Sequence, residues 1–142
     1  MSAVLSRLTE KFAAAVTETH SYRGDDTAVV DRARIQEVLQ FLRDDASLAF
    51  DLPVDVTAVD WLGERETRFE LVYHLYSTSN KHRVRIKCPV PADHCHIATS
   101  SAIYPGFNWF EREVYDMYGI QFAGHHDLRR MFMYDEFVGH PL

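Results

Sequence analysis

Residues 67–90 read TRFELVYHLYSTSNKHRVRIKCPV, and they hold two alternating stretches on either side of a polar turn. In residues 67–77 the apolar positions that share one face of an extended chain are Phe69, Leu71, Tyr73 and Leu75. In residues 83–90 the apolar and the basic positions alternate as Val84, Ile86 and Cys88 against Arg83, Arg85 and Lys87. Because STSNKH at 77–82 contains turn-forming residues, the whole stretch predicts a β-hairpin.

The segments before the hairpin predict two helices and two further strands. A helix is expected over 2–19 with Ser2 as its N-cap, then a turn at 21–26 and a short strand over 27–31. A second helix is expected over 32–46, capped by Asp31. Residues 54–62 alternate and are expected to pair beside the hairpin as a meander.

After the hairpin, residues 91–98 predict a loop and residues 109–118 a third helix. Asn108 is the expected N-cap of that helix, Glu111 its capping-box partner and Gly119 its C′ glycine. The order α-β-α-β-β-β-α predicts one α+β domain over residues 1–142. Its two layers are a mainly antiparallel sheet of about four strands and three helices.

Composition fits a soluble globular domain and disfavours binding to nucleic acid. Of the 142 residues, 46% are hydrophobic and 25% are charged, with a net charge of −6, whereas phosphate-binding surfaces are usually basic. The first fifteen residues lack the apolar run of an export signal, and no stretch is long enough for a transmembrane span. A reduced compartment is therefore expected for the two cysteines.

The residues that most suggest a metal site are Cys88, His94, Cys95 and His96. Their spacing matches none of the usual paired-ligand patterns of zinc sites, and neighbouring residues of an extended loop point in opposing directions. We therefore expect no metal here, and we expect Cys88 to face inward from its strand.

Residues 111–130 contain many charged residues but no recognisable catalytic motif. Glu111 and Glu113 lie on different sides of a helix, so joint acid–base chemistry is not expected, and Glu111 is expected to be solvated or capping. The pair His125 and Asp127 is more typical of a turn than of a dyad, because no nucleophile motif accompanies it.

The third helix is expected to have an apolar face toward the sheet and an aromatic, charged face toward water. The apolar face consists of Phe110, Val114, Met117 and Tyr118. The opposite face consists of Trp109, Arg112 and Asp116, with Tyr115 between the two. This composition is typical of a protein–protein hot spot, although an ordinary solvated face remains open.

One charge of this helix is expected to need a partner. Glu113 lies at the border of the apolar face, where a lone carboxylate is costly. Arg129 and Arg130 are the candidate cationic partners.

At these residues the chain resembles the 30 kDa-type subunit of proton-pumping NADH:quinone oxidoreductase, respiratory complex I. The resemblance runs through RFELVYHLYS, RVRIKCPV, NWFEREVYDMYGI, FAGHHDLRR and GHPL, about the last 80 residues. The signature positions are Glu111, Arg112, Glu113, Asp116, Met117, Tyr118, His125 and Arg129. The chain departs from the usual pattern at His126, where proline is common, and at Phe132, where a small aliphatic residue is common. It ends at GHPL, where relatives continue with a basic tail, so either this member is short or the tail was removed.

The resemblance implies a structural subunit of the peripheral arm, beside the large quinone-site subunit and neighbouring iron–sulfur subunits. The complex passes electrons from NADH through FMN and iron–sulfur clusters to quinone and pumps protons; this chain is expected to bind none of these cofactors. The implied location is the cytoplasmic face of the bacterial inner membrane. The expected interface and signature positions are Trp109, Glu111, Arg112, Glu113, Tyr115, Asp116, Gly119, Gly124, His125, Asp127, Arg129, Arg130, Gly139 and His140.

Two rival functions remain open at this point. The first is the equivalent subunit of a membrane-bound hydrogenase or another oxidoreductase that is not linked to NADH. The second is a free-standing domain that binds metal, or acts as a hydrolase, through the loop of Cys88, His94, Cys95 and His96.

Overall fold

A computed structural model describes residues 2–126, 128–130, 133 and 138–141, and in that part the chain forms three α-helices and seven strands. The helices are α1 (Ala3–Lys11), α2 (Ile35–Asp44) and α3 (Phe107–Tyr118). The strands are β1 (Val16–Tyr22), β2 (Asp25–Val30), β3 (Leu52–Asp60), β4 (Phe69–Ser77), β5 (His82–Val90), β6 (His96–Ala98) and β7 (Gln121–Ala123). The predicted α+β class is confirmed.

Five of the strands form one mixed sheet in the order β1-β2-β5-β4-β3. The predicted hairpin is confirmed as β4 and β5, which pair antiparallel with Tyr73 opposite Ile86. β3 pairs antiparallel with β4 as expected. β2 runs parallel to the central strand β5, and β6 and β7 form a separate parallel pair. The sheet therefore has one strand more than the sequence predicted.

The additional strand is β1, which lies inside the segment predicted as the end of the first helix. The helix ends at Lys11, with Ser2 capping its start as expected, and the prediction for residues 12–19 is wrong. Residues 16–22 contain Val, Thr and Tyr, which favour extended backbone. Arg23 and Gly24, both with positive φ (52° and 85°), then close a tight antiparallel hairpin between β1 and β2.

Two other predicted segments differ in detail. Asp31 caps a 3₁₀ turn over Arg32–Arg34, so α2 begins three residues later than the sequence suggested. Its apolar stripe is buried as expected. The predicted loop over 91–98 contains the 3₁₀ turn Ala92–His94 and the strand β6, which pairs with β7 to form the second sheet.

All three helices bury their apolar residues in one cluster on the same face of the five-stranded sheet. The strand residues that meet them include Leu71, Tyr73, Leu75, Val84, Ile86 and Cys88, which is the inward face that the alternation predicted. Each fully buried large apolar side chain of this kind contributes about 1.5–3 kcal/mol. In the described part of the chain, none of the helices is long and apolar enough to cross a bilayer.

Candidate subunit interface

Helix α3 begins two residues earlier than predicted, at Phe107, whose aromatic side chain packs into the core. Phe107 is fully buried, with its ring centroid 5.8 Å from that of Tyr73 and 5.3 Å from that of Tyr104. Gly106 precedes the helix and no side chain caps it, so the predicted capping box of Asn108 and Glu111 is wrong. The predicted C-terminal end of α3 is confirmed, since Gly119 adopts the left-handed backbone conformation there, with φ +81°.

Glu111 is buried, which contradicts its expected exposure. Phe107, Glu111, Val114 and Tyr118 follow one helical stripe, so Glu111 stands only about 40° around the axis from Phe107. Its carboxylate accepts hydrogen bonds from the hydroxyl of Thr99 and from the backbone N–H of Ser100, the latter at 2.8 Å. Burial raises the pKa of Glu111 to about 7, and the two hydrogen bonds oppose that shift.

The turn after β7 brings His125 to this carboxylate. Gly124, at φ +86°, reverses the chain. The His125 Nε2 atom then lies 3.9 Å from the Glu111 carboxylate and 3.3 Å from the carbonyl oxygen of Asn108, and the His125 side chain is fully buried. These residues of the expected signature therefore lie together inside the domain. Asp127 lies outside the described residues.

Arg112 lies on the opposite side of α3, where water was expected, but only 7% of it is exposed. Its guanidinium stacks 4.7 Å from the ring centroid of Trp109. Its N–H groups donate to the carbonyl oxygens of Arg129 and Arg130, both at 3.3 Å. The segment that follows β7 therefore covers Arg112, while Trp109 remains 60% exposed.

Asp116 is the second member of this face, and it is fully buried. One carboxylate oxygen accepts from the Arg130 guanidinium at 2.7 Å, and the other accepts from the backbone N–H of Met133 at 2.9 Å. Arg130 also donates to the carbonyl oxygen of Gly139 at 2.7 Å. The expectation that Arg112 and Asp116 face water is therefore wrong, because the described residues of the C-terminal segment lie over them, namely Arg129, Arg130, Met133, Gly139 and His140.

His140 completes the contact between α3 and the C-terminal segment. The Nδ1 atom of its ring lies 2.9 Å from the backbone carbonyl oxygen of Asp116, and the ring packs edge-on against that of Tyr115 at 5.5 Å. A Cβ atom on Gly119 would lie 2.7 Å from the His140 ring. Gly119 therefore both ends the helix and leaves room for this ring.

Glu113 is exposed, so the prediction that it sits at the border of the buried face is wrong. The apolar stripe is centred on Phe107 and Val114, which turns Glu113 outward. Arg130, named as a candidate partner for it, pairs with Asp116 instead. Arg129 is exposed. Phe132, the other departure from the usual pattern, lies outside the described residues.

The alternative metal site is not assembled. Cys88 faces the core from β5, where burial raises the pKa of its thiol, whereas His94 ends a 3₁₀ turn and His96 is exposed at the start of β6. Across the described residues, no group of three or more His, Cys, Asp or Glu side chains is arranged to hold a metal ion.

Two hydrogen-bond partners of Glu111 have no signal in the sequence. Thr99 and Ser100 lie in a segment with no recognisable motif, and only the fold brings them under α3. The burial of Glu111 itself had a sequence signal, namely the spacing of Phe107, Glu111, Val114 and Tyr118. The helix was predicted to begin at residue 109, which left Phe107 outside it, so this spacing was not recognised.

Known proteins resemble this chain over nearly its whole length. The family model described as "Respiratory-chain NADH dehydrogenase, 30 Kd subunit" matches residues 28–142. The chain is 48% identical to an NADH-quinone oxidoreductase subunit of Geobacter sulfurreducens over 136 residues, which covers 96% of this chain and 83% of that protein.

Two solved structures are similar in fold. One is described as "Nqo5 of the trypsin-resistant fragment (1-134)", with a TM-score of 0.75 and 28% identity, covering 88% of this chain and 99% of that one. The other belongs to a membrane-bound sulfane sulfur reductase described as an archaeal respiratory membrane complex. It has a TM-score of 0.78 and 28% identity, covering 94% of this chain and 76% of that one. On these matches, the chain belongs to the family of the 30 kDa subunit of respiratory-chain NADH dehydrogenase.

Proposed function

We propose that this subunit of NADH-quinone oxidoreductase docks on the large, quinone-site subunit through helix α3 and the C-terminal segment held against it. Its contribution is the assembly and rigidity of the peripheral arm. The family match over most of the chain supports membership of the complex. The arrangement of α3 supports this surface as the point of docking.

The observation that carries the proposal is the exposure of Trp109 beside side chains of α3 that hydrogen bonds already hold in place. Trp109 is 60% exposed, and the Arg112 guanidinium lies against its ring. Tryptophan is enriched among the residues that dominate binding energy at interfaces. A surface that is already ordered loses less conformational entropy on binding, so more of its contact energy appears as affinity.

Arg112 and Asp116, which were expected to dock, and Arg130, which was expected to pair with Glu113, lie behind the exposed surface. Arg112, Asp116 and Arg130 hold the C-terminal segment on α3 through the hydrogen bonds described above. In the proposed complex they position that segment, while Trp109 and the exposed Glu113 contact the partner directly.

We place the redox chemistry in neighbouring subunits. FMN and the iron–sulfur clusters would belong to partner chains, because an iron–sulfur cluster is normally held by four thiolates and this sequence has two cysteines. The subunit would lie at the cytoplasmic face of the bacterial membrane, attached through its partners and adjacent to iron–sulfur subunits. The isolated chain is expected to show no NADH oxidation.

The test is co-purification of the tagged variant Trp109→Ala with the rest of the complex. Loss of an interface hot spot costs at least about 2 kcal/mol, so the fraction of complex retained should fall by roughly 30-fold under limiting conditions. Glu37→Ala is the matched control, because Glu37 is also well exposed on a helix, in α2. Retention by Trp109→Ala equal to that of Glu37→Ala would overturn the proposed docking surface.

A further inference from the structure

The carboxyl of Glu111 is buried without a lysine or arginine partner among the described residues. Two neutral groups donate hydrogen bonds to it, the Thr99 hydroxyl and the Ser100 backbone N–H. An ionised carboxylate is costly to hold away from water unless an opposite charge lies beside it. A carboxyl in this position therefore favours binding a proton.

His125 brings a second titratable group to this carboxyl. Its Nε2 atom lies 3.9 Å from Glu111, and its ring stacks on that of His126, with 5.2 Å between the ring centroids. On the sheet side lie Tyr73 of β4 and Cys88 of β5, and burial raises the pKa of both side chains, so both are uncharged at neutral pH. A proton on the imidazole or on the carboxyl changes the affinity of the other for protons, so proton uptake belongs to the pair.

A cavity of about 290 Å³ connects this pair with the surface. The side chains in its wall include those of Thr99, Ser101, Asn108 and His126. The Thr99 hydroxyl lies 2.9 Å from the Ser101 hydroxyl, and the same Thr99 oxygen is the donor to Glu111. Two hydroxyl groups in series therefore link the cavity to the buried carboxyl.

We propose that Glu111 and His125 form a proton-binding site inside the domain. Protons reach this site from the cavity through the hydroxyl groups of Ser101 and Thr99. The inference goes beyond the proposed docking function and does not depend on it, because Trp109 is not among the residues that line the cavity.

The hydroxyl groups suit this transfer because each can donate and accept a hydrogen bond at the same time. In uptake, a hydronium ion in the cavity gives a proton to the Ser101 oxygen, and Ser101 passes its own hydroxyl proton to Thr99. Thr99 passes its own proton to the Glu111 carboxylate, whose new O–H group then donates to the Thr99 oxygen. Each hydroxyl again carries one proton, a water molecule remains in the cavity, and both hydrogen bonds have reversed direction. Release follows the same steps backwards.

Carbon-13 NMR of the full chain, labelled at the glutamate side-chain carboxyl, measures the bound proton directly. The Glu111 signal is assigned through the backbone and checked by its absence from Glu111→Gln. We expect its chemical shift to titrate between pH 5 and pH 8, because burial raises the pKa of Glu111 to about 7. A chemical shift that stays constant over this range would overturn the site, since Glu111 would then keep one protonation state throughout.

The rate of proton exchange tests the route. Relaxation dispersion of the same carbon, recorded near the titration midpoint, reports how fast the protonated and ionised forms interconvert. Ser101→Ala removes a hydroxyl that does not contact Glu111, and it should slow the exchange by roughly 100-fold, the lower end of the effect of a positioned proton donor. Thr99→Val should slow it as well, whereas Thr99→Ser keeps the hydroxyl and should not.

Ser6→Ala is the matched control, because Ser6 is exposed on α1, away from the cavity lining. It should leave the midpoint and the exchange rate unchanged. Equal exchange rates in Ser101→Ala and Ser6→Ala would overturn the route through the hydroxyl groups. The docking proposal would still stand in that case, because it is tested separately through Trp109.

Discussion

Replacing Glu111 by glutamine should change how the stability of the domain depends on pH. The Glu111 carboxyl is fully buried and receives hydrogen bonds from Thr99 and Ser100. Glutamine has nearly the same shape, can accept from the Ser100 N–H and can donate to the Thr99 hydroxyl. Glu111→Gln therefore resembles the protonated wild-type side chain without its ionisation.

The magnitude follows from the difference in pKa between the folded and unfolded chains. Burial raises the pKa of Glu111 to about 7 from its ordinary value of 4.5. Below the lower value both states are protonated and the folded state keeps its full stability. Between the two values only the unfolded chain releases its proton, so the free energy of unfolding falls as pH rises. Over the whole window the loss is about 3 kcal/mol, because one pKa unit corresponds to about 1.4 kcal/mol.

The assay is urea unfolding of both chains at pH 5, 6, 7 and 8, followed by tryptophan fluorescence and circular dichroism. The difference in unfolding free energy, variant minus wild type, should rise by about 2.5 kcal/mol between pH 5 and pH 8, because part of the window lies below pH 5, and this leaves the variant the more stable chain at pH 8. Glu113→Gln is the matched control on the same helix, and since Glu113 is exposed its difference should stay nearly constant.

One result would refute this reasoning: a difference between Glu111→Gln and wild type that does not change from pH 5 to pH 8. The folded protein would then accommodate the ionised carboxylate as well as water does. His125, whose Nε2 atom lies 3.9 Å from that carboxylate, is the described group best placed to provide such compensation.

Two further substitutions and one labelling experiment test the contacts around α3 and the core. Asp116→Asn should destabilise the domain by about 3 kcal/mol in urea, because it removes the buried negative charge that accepts from the Arg130 guanidinium; a loss below about 1 kcal/mol would contradict that pairing. Gly119→Ala should cost about 1 kcal/mol and displace the His140 ring, which limited proteolysis would detect as faster cleavage near the C-terminus; unchanged cleavage would contradict the contact. The Cys88 thiol should resist a thiol reagent at pH 8 until the chain unfolds, because burial raises its pKa, and rapid labelling of the native protein at this position would contradict its burial.

The elements that the sequence predicts well are those whose burial pattern is local. The β4–β5 hairpin follows from strict alternation on either side of a polar turn, and its register is confirmed. Helix α2 follows from its apolar stripe. The parallel pairing of β2 with β5 is a different case, since it joins segments nearly sixty residues apart and leaves no local signal.

The first helix shows how a weak pattern fails. Apolar residues at helical spacing continue through Phe12, Ala15 and Val16, so periodicity alone extends the helix past Lys11. Pairing of residues 16–22 with β2 supplies hydrogen bonds that an isolated helical end cannot match. Tertiary structure overrides local preference at this point of the chain.

The sequence predicted that residues of α3 and of the stretch after β7 lie together, but it did not predict which of them are buried. The sequence indicates that α3 and the stretch after β7 belong together, and Arg112, Asp116 and Arg130 do meet. Helical geometry gives only the direction of a side chain from its axis. It cannot show that a later segment returns to cover that direction, which is why two charged residues expected in water are buried.

This coverage decides which variants can test docking. A change at Arg112 or Asp116 first releases the C-terminal segment, so reduced co-purification would follow even if neither residue faces the partner. Trp109 differs, because the residue is 60% exposed and its side chain makes no hydrogen bond to the part of that segment that the structure describes. A Trp109→Ala chain that keeps the wild-type unfolding free energy and loses the complex would therefore locate binding at α3. A parallel loss of stability and of binding would indicate only that the segment must stay folded.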